Sequence, residues 1–255
     1  MDDNIILQAD HLRKDFDGLV AVEDVSLRVR AGSLHSIIGP NGAGKTTLFN
    51  LLSGVFKPTA GRVFFRERDI TPLPPHRIAH LGIGRSFQIT NVFPNLTVFE
   101  NVRLAAQAMG RDSLNLIAPA MHFRDYAARA RAVLARVGLV DKADALASTL
   151  AHGDKRKLEI GILLASDPQV LLLDEPTAGM ASEQVPQLMS LIAEIRKAGD
   201  KTILLVEHNM DVVMNVSDAI TVMHYGQVLA EGTPAQIAAN EQVQKAYLGE
   251  LYTSG

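Results

Sequence analysis

Short apolar runs punctuated by glycine alternate with longer stretches of helical spacing along this chain. Ile5–Ala9 reads as a strand, and Val25, Leu27 and Val29 alternate with polar neighbours as in a strand buried on one face. Leu34–Ile38 is a further strand, followed by a glycine-rich turn and a helix-like run at Leu48–Leu52. Arg62–Phe65 and Leu81–Phe87 read as short strands, and Thr71-Pro72-Leu73-Pro74-Pro75 between them as a proline-stiffened connector. Asn91–Val102 has no clear period and holds Pro94; from there helical patterns dominate to about residue 165. Tyr126, Ala130, Val133, Leu134 and Val137 fall on one helical face, with Arg124, Arg129, Arg131 and Arg136 on the polar side. Alternation then resumes with a strand at Val170–Leu173, a helix through Arg196, and a strand at Thr202–Val206. Another helix follows, then strands at Ala219–Met223 and Val228–Ala230. Such alternation predicts an α/β fold with a largely parallel sheet under helices, interrupted by a helical insertion.

The turn after Leu34–Ile38 is the most informative stretch. Gly39-Pro40-Asn41-Gly42-Ala43-Gly44-Lys45-Thr46-Thr47 fits the G-x-x-x-x-G-K-[ST] phosphate loop residue for residue. Its glycines let the backbone wrap until several N–H groups face one set of phosphate oxygens, and the following helix N-terminus adds partial positive charge. Lys45 is placed to bridge the β- and γ-phosphates and Thr46 to ligate Mg²⁺. This predicts nucleoside triphosphate binding.

Two strand ends supply the rest of the chemistry. Val170–Leu173 delivers Asp174 and Glu175 where ligands sit in parallel α/β sheets. Asp174 can hold Mg²⁺ through water, and Glu175 can orient or deprotonate the attacking water. Thr202–Val206 delivers Glu207 and His208, and His208 can hydrogen-bond the γ-phosphate. Phe16, in a polar segment before Gly18, is a candidate to stack on the base; stacking reads no base edges, so selectivity for ATP over GTP would be weak.

Composition narrows the partners. With 255 residues, 47% of them hydrophobic, the chain suits one core with an inserted subdomain. A net charge of −3 speaks against a general nucleic-acid binder, and the absence of cysteine fits a reducing compartment. The N-terminus lacks the pattern of a secretory signal, and no apolar run reaches the roughly 18 residues a membrane span needs. The expectation is a soluble protein, with any membrane it serves spanned by other chains.

In order, the phosphate loop, Gln88, Leu150-Ala151-His152-Gly153-Asp154, the acidic strand end and His208 resemble the ATP-binding subunit of an ABC transporter. The resemblance is nearest to subunits of branched-chain amino-acid and urea importers, through Gly39–Gly54, Asp174–Met180, Glu207–Met214 and Ala246-Tyr247-Leu248-Gly249. It implies a P-loop NTPase (RecA-like) core with a largely parallel sheet and an N-terminal antiparallel β subdomain, formed by residues 1–88 and 161–255. Residues 89–160 are then an inserted α-helical subdomain carrying the signature. It implies ATP and Mg²⁺ as ligands, with Gln88 contributing Mg²⁺ or water contacts. A second ATP-binding subunit would pair head to tail, so that Ala151, His152, Gly153 and Asp154 of each copy face the phosphate loop of the other. Integral membrane permease subunits, fed by a solute-binding protein, are the further partners, and the chain is expected at the cytoplasmic face of the inner membrane, peripherally bound.

The chain departs from the family where the usual signature reads Leu-Ser-Gly-Gly-Gln: Ala151 has no hydroxyl, His152 replaces a glycine, and Asp154 puts a carboxylate near a polyphosphate. The basic run Lys155-Arg156-Lys157 is expected to offset that charge. Ala181 stands where transporters often have Asp or Asn. Val92, Phe93, Leu96 and Phe99 are candidate apolar anchors for a membrane partner. An exporter ATPase, such as one for lipopolysaccharide extraction, is the alternative. A chromosome-maintenance or DNA-repair ATPase would need far more than the about sixty residues between Gln88 and Leu150. A translation-factor ATPase would usually carry two cassettes, and Glu175 disfavours a module that never hydrolyses.

Overall fold

The computed structural model describes residues 4–86, 92–110 and 120–246, with the backbone alone for 120–123. Strands β1 (Ile5–Phe16) and β2 (Leu19–Arg30) form a long hairpin; β4 (Ala60–Phe65) and β5 (Arg68–Asp69) extend it into an antiparallel sheet ordered β2-β1-β4-β5. The second sheet combines β3 (Leu34–Ile38), β6 (Ile83–Arg85), β7 (Val170–Asp174), β8 (Thr202–Val206), β9 (Ala219–His224) and β10 (Gln227–Gly232). Its order is β10-β9-β3-β8-β7-β6, parallel except for the β9–β10 hairpin at one edge.

The central strands are apolar on both faces because both faces are covered. Along β7 and β8, Leu172, Leu204 and Val206 face the antiparallel sheet and α1 (Lys45–Leu52), whose Phe49 is fully buried. Leu171, Leu173, Ile203 and Leu205 point the other way, onto the helices. This period of two within an unbroken apolar run is how a strand buried on both faces reads in sequence. The second core is closed by α3 (Val98–Ala108), α4 (Ala120–Arg136), α5 (His152–Ala165) and α6 (Val185–Lys197). A third, smaller core lies under α7 (Met210–Val216) and α8 (Pro234–Ala238).

Local chemistry explains where the sequence expectations and the structure part. The proline-rich connector opens a helix, α2 (Pro75–Leu81): Pro75 occupies the first turn, where a missing N–H costs nothing, and Gly82 caps the other end at φ 113°. The strand expected over Leu81–Phe87 is therefore shorter, Ile83–Arg85, and Phe87 lies outside the described residues. The stretch without a clear period ends at Thr97, whose hydroxyl accepts from the Glu100 N–H and starts α3 inside Asn91–Val102. Ala130, Val133, Leu134 and Val137 are buried as expected. Of the arginines opposite, Arg124 and Arg131 are exposed as expected, Arg131 also lying over the Phe99 ring, while half-buried Arg129 pairs with Asp167 and Arg136 with Asp200.

A candidate nucleotide site at the ends of the parallel strands

Strand β3 runs straight into the phosphate loop, and the loop's glycines are dictated by close approach. A Cβ at Gly39, at φ 152°, would lie 2.2 Å from the Met223 carbonyl oxygen of β9; one at Gly44, at φ 95°, would lie 2.4 Å from that of Ala21. Backbone hydrogen bonds from Gly226 to Ala43 and from Glu23 to Gly226 tie this corner to the β9–β10 turn. Lys45, almost fully buried, donates to the carbonyls of Gly39 (2.6 Å) and Pro40 (2.8 Å), so its ammonium sits over the loop.

A cavity of about 330 Å³ opens over the loop, lined by residues 41–47, by Leu19, Val20 and Ala21 of β2, and by Glu175 and His208. The structure therefore brings together the loop and the ends of β7 and β8. Glu175 follows β7 with a left-handed backbone, φ 49°, and its N–H donates to the Val206 carbonyl. Its Oε1 lies 2.5 Å from His208 Nε2. A non-glycine residue held in that region carries strain that the surrounding structure must impose. Glu207, which sequence reasoning passed over, does part of this: its buried carboxylate accepts from the Thr177 N–H and hydroxyl and from the His208 N–H, pinning the two strand ends together.

Asp174 ends β7 with its side chain fully enclosed. Burial holds its pKa above the usual carboxylate value, against the pull of the Arg85 guanidinium. Arg85 Nη2 is 3.4 Å from Oδ2, while Oδ1 has no hydrogen-bond partner among the described residues. A buried, orphaned carboxylate oxygen beside a phosphate loop suits a hard divalent cation or its water shell, so the residues present fit Mg²⁺. Gln88 lies outside the described residues.

Phe16 ends β1, its ring packed edge-on against Phe56 (centroids 5.3 Å apart) with Lys14 Nζ 4.9 Å above it. The residues that line the cavity come just beyond the turn, at Leu19–Ala21; the signal was an apolar Leu-Val-Ala run directly after Gly18.

The signature does not line that cavity. Helix α5 starts at His152, with Ala151 as its N-cap. Ala151, Gly153 and Asp154 line a separate cavity of about 310 Å³ with Lys142, Lys157 and Gln184. Of the basic run expected to offset Asp154, Lys157 pairs with it at 3.8 Å, and Lys142, outside the run, is a further partner. Arg156 is turned away to Glu159 and the Ala178 carbonyl, because the helix places it on another face. That bond and the packing of Gln184 against Gly153 tie the loop after Glu175 to the signature helix.

Of the four apolar anchors, Val92 and Phe99 pack onto the helical core and Phe93 stays 60% exposed. The wider apolar surface is a cleft of about 300 Å³, walled on one side by α2 and β6 and on the other by Ala105, Ala108, Met109, Ile162 and Leu163 of α3 and α5. No helix among the described residues is long and apolar enough to cross a membrane.

Comparison with known proteins agrees with this geometry. The ABC transporter family model matches residues 22–178, and a second model, branched-chain amino acid ATP-binding cassette transporter, matches residues 227–252. The chain is 44% identical over 250 residues to the high-affinity branched-chain amino acid transport ATP-binding protein LivG of Salmonella typhimurium, covering 96% of this chain and 98% of LivG. It is 32% identical to the lipopolysaccharide export system ATP-binding protein LptB of Acidithiobacillus ferridurans, over 97% and 98% of the two chains. Among solved structures, the ADP conformation of MJ1267, an ATP-binding cassette of an ABC transporter, superposes with TM-score 0.83 at 30% identity, over 96% of this chain and 99% of that one. The dimeric structure of the ABC transporter cassette MJ0796 superposes with TM-score 0.77 at 25% identity, over 90% and 99%. This chain belongs to the ABC transporter family, as an ATP-binding subunit and an ATPase coupled to transport.

Proposed function

We propose that the chain energises an importer of branched-chain amino acids or a related small polar solute. The observation that carries the chemistry is the convergence of the phosphate loop, Glu175 and His208 on one cavity, with carboxylate and imidazole 2.5 Å apart. The 44% identity to LivG, against 32% to LptB, supports import of that cargo over lipopolysaccharide export.

Residues 39–47 cradle the phosphates through backbone N–H groups, and Lys45 leaves the loop carbonyls to neutralise the β- and γ-phosphates. Glu175 takes the proton of the attacking water, and His208 orients that carboxylate and hydrogen-bonds the γ-phosphate. Thr46, Asp174 and Gln88 would hold Mg²⁺; when bound it supplies charge neutralisation across the β- and γ-phosphates. Leu19–Ala21 and the turn carrying Phe16 form the side of the site assigned to the base.

The signature residues Ala151, His152, Gly153 and Asp154 act on the nucleotide of a second subunit. Supporting this, Ala151, Gly153 and Asp154 line a cavity apart from the chain's own phosphate loop, and the loop after Glu175 is tied to the signature helix through Arg156 and Gln184. The division into residues 1–88 with 161–255 and an inserted 89–160 is retained as a proposal, with α5 running unbroken across the second boundary. The apolar cleft between α2 and α3 is the docking place assigned to an amphipathic segment of a membrane permease subunit. That subunit would be served by a solute-binding protein and would hold the chain peripherally at the cytoplasmic face. Reconstitution of the chain with its membrane subunits and binding protein in vesicles tests the reading. ATP-dependent uptake of labelled leucine or a related solute is expected, and ATP turnover in the full assembly that none of these solutes stimulates would contradict it.

A further inference from the structure

Arg85 sits at the end of β6 with its side chain 10% exposed, and no step above uses it. Its guanidinium joins two elements of the site. Nη1 donates to Asn50 Oδ1 (2.6 Å) and Ser53 Oγ (2.8 Å) at the far end of α1, the helix whose first turn carries Lys45 and Thr46. Nη2 reaches Asp174 Oδ2 (3.4 Å), and Nε, though buried, has no partner among the described residues. Burying a guanidinium with an unsatisfied N–H is costly, and its hydrogen bonds to Asn50, Ser53 and Asp174 offset that cost in part. The planar fork fixes both elements at once, as a flexible ammonium would not. By engaging Oδ2 alone it leaves Oδ1 of Asp174 without a hydrogen-bond partner among the described residues.

From this arrangement we infer that Arg85 is a positioning residue: it aligns Asp174 with the phosphate-loop helix, so that one carboxylate oxygen is presented to Mg²⁺. The inference rests on Asp174 being the metal-facing carboxylate. Outer partners that orient a metal-facing group typically contribute about 10–100-fold in metal affinity.

The test uses the full chain with ADP, measuring bound Mn²⁺ by electron paramagnetic resonance and ADP affinity by calorimetry in EDTA and in Mg²⁺. Arg85→Lys keeps the charge and loses the fork. It should weaken Mn²⁺ in the ADP complex about tenfold or more while leaving ADP affinity in EDTA unchanged. Asn50→Ala, which removes one tether and leaves the arginine, should weaken Mn²⁺ by less, and it carries the test if Arg85→Lys melts in EDTA. Asp174→Asn separates the two levels. If it weakens Mn²⁺ and the Arg85 and Asn50 variants do not, the positioning role is wrong and the site stands. If it does not, the metal assignment falls and the inference with it. Equal loss of ADP affinity with and without metal in the Arg85 variant would make the residue merely structural, and tighter Mn²⁺ would show that its charge competes with the cation; either overturns the inference.

Discussion

Replacing Glu175 by Gln isolates the chemical step. The left-handed backbone at φ 49°, the N–H bond to Val206 and the packed strand end fix where the side chain goes. Glutamine is nearly isosteric, and its amide still meets His208 across the 2.5 Å contact. What is lost is the basicity and the negative charge. Removing a positioned base costs about 10²–10⁴-fold, and at 1.36 kcal/mol per tenfold that is about 2.7–5.4 kcal/mol of barrier. The lost charge lies beside a polyphosphate site, so ATP affinity should hold or rise. Single-turnover phosphate release gives the rate, calorimetry the affinity, and light scattering the ATP-bound dimer expected to accumulate. Turnover within about threefold of wild type would refute the reasoning, since it would mean the water is activated elsewhere.

Three other substitutions probe separate parts of the account. Lys45→Ala should abolish tight nucleotide binding, because the buried ammonium is the main positive charge in reach of the β- and γ-phosphates; unchanged affinity by calorimetry would remove the phosphate-loop assignment. Asp154→Gln releases Lys142 and Lys157 from their shared carboxylate, so ATP-dependent dimerisation in a Glu175→Gln background should strengthen in sedimentation, while stability falls by at most about 1 kcal/mol. Weaker dimers would show that the carboxylate makes a favourable contact across the interface. His35, buried on β3 against Thr221, has its pKa lowered by burial from 6.5 to about 4. The unfolded chain therefore binds more protons between those values, and stability should fall by about 3 kcal/mol as pH drops from 6.5 to 4. Denaturant midpoints for His35→Gln should lack that part of the slope, and an unchanged slope would assign it elsewhere.

Much of this was legible before the fold was known, because the residues that matter sit at strand ends. Val170–Leu173 and Thr202–Val206 can only be buried on both faces, and that alone places Asp174, Glu175 and His208 at one edge of the sheet. Contacts made across the chain were not legible. Nothing in the sequence pairs Arg85 with Asp174, Glu207 with Thr177, or Lys142 with Asp154, since each pairing depends on how separate elements dock. Residues 71–74 form the turn that the prolines predict, whereas the helix that Pro75 opens is not legible, because Pro at the first turn of a helix and Pro in a connector look alike until the capping glycine is weighed. Phe16, isolated among polar residues in the sequence, stays 37% exposed with Phe56 and Lys14 beside its ring, neighbours that no periodicity reveals.

The central claim is that half of each catalytic site comes from a second subunit, and ATPase activity against protein concentration tests it most directly. A chain that is monomeric without nucleotide should show specific activity rising with concentration at saturating ATP, then levelling as dimers fill. Cognate membrane subunits should raise it further by holding two copies together, which replaces an encounter with an intramolecular step. A specific activity that stays flat while sedimentation shows a monomer throughout would contradict the account and place the complete site within one chain.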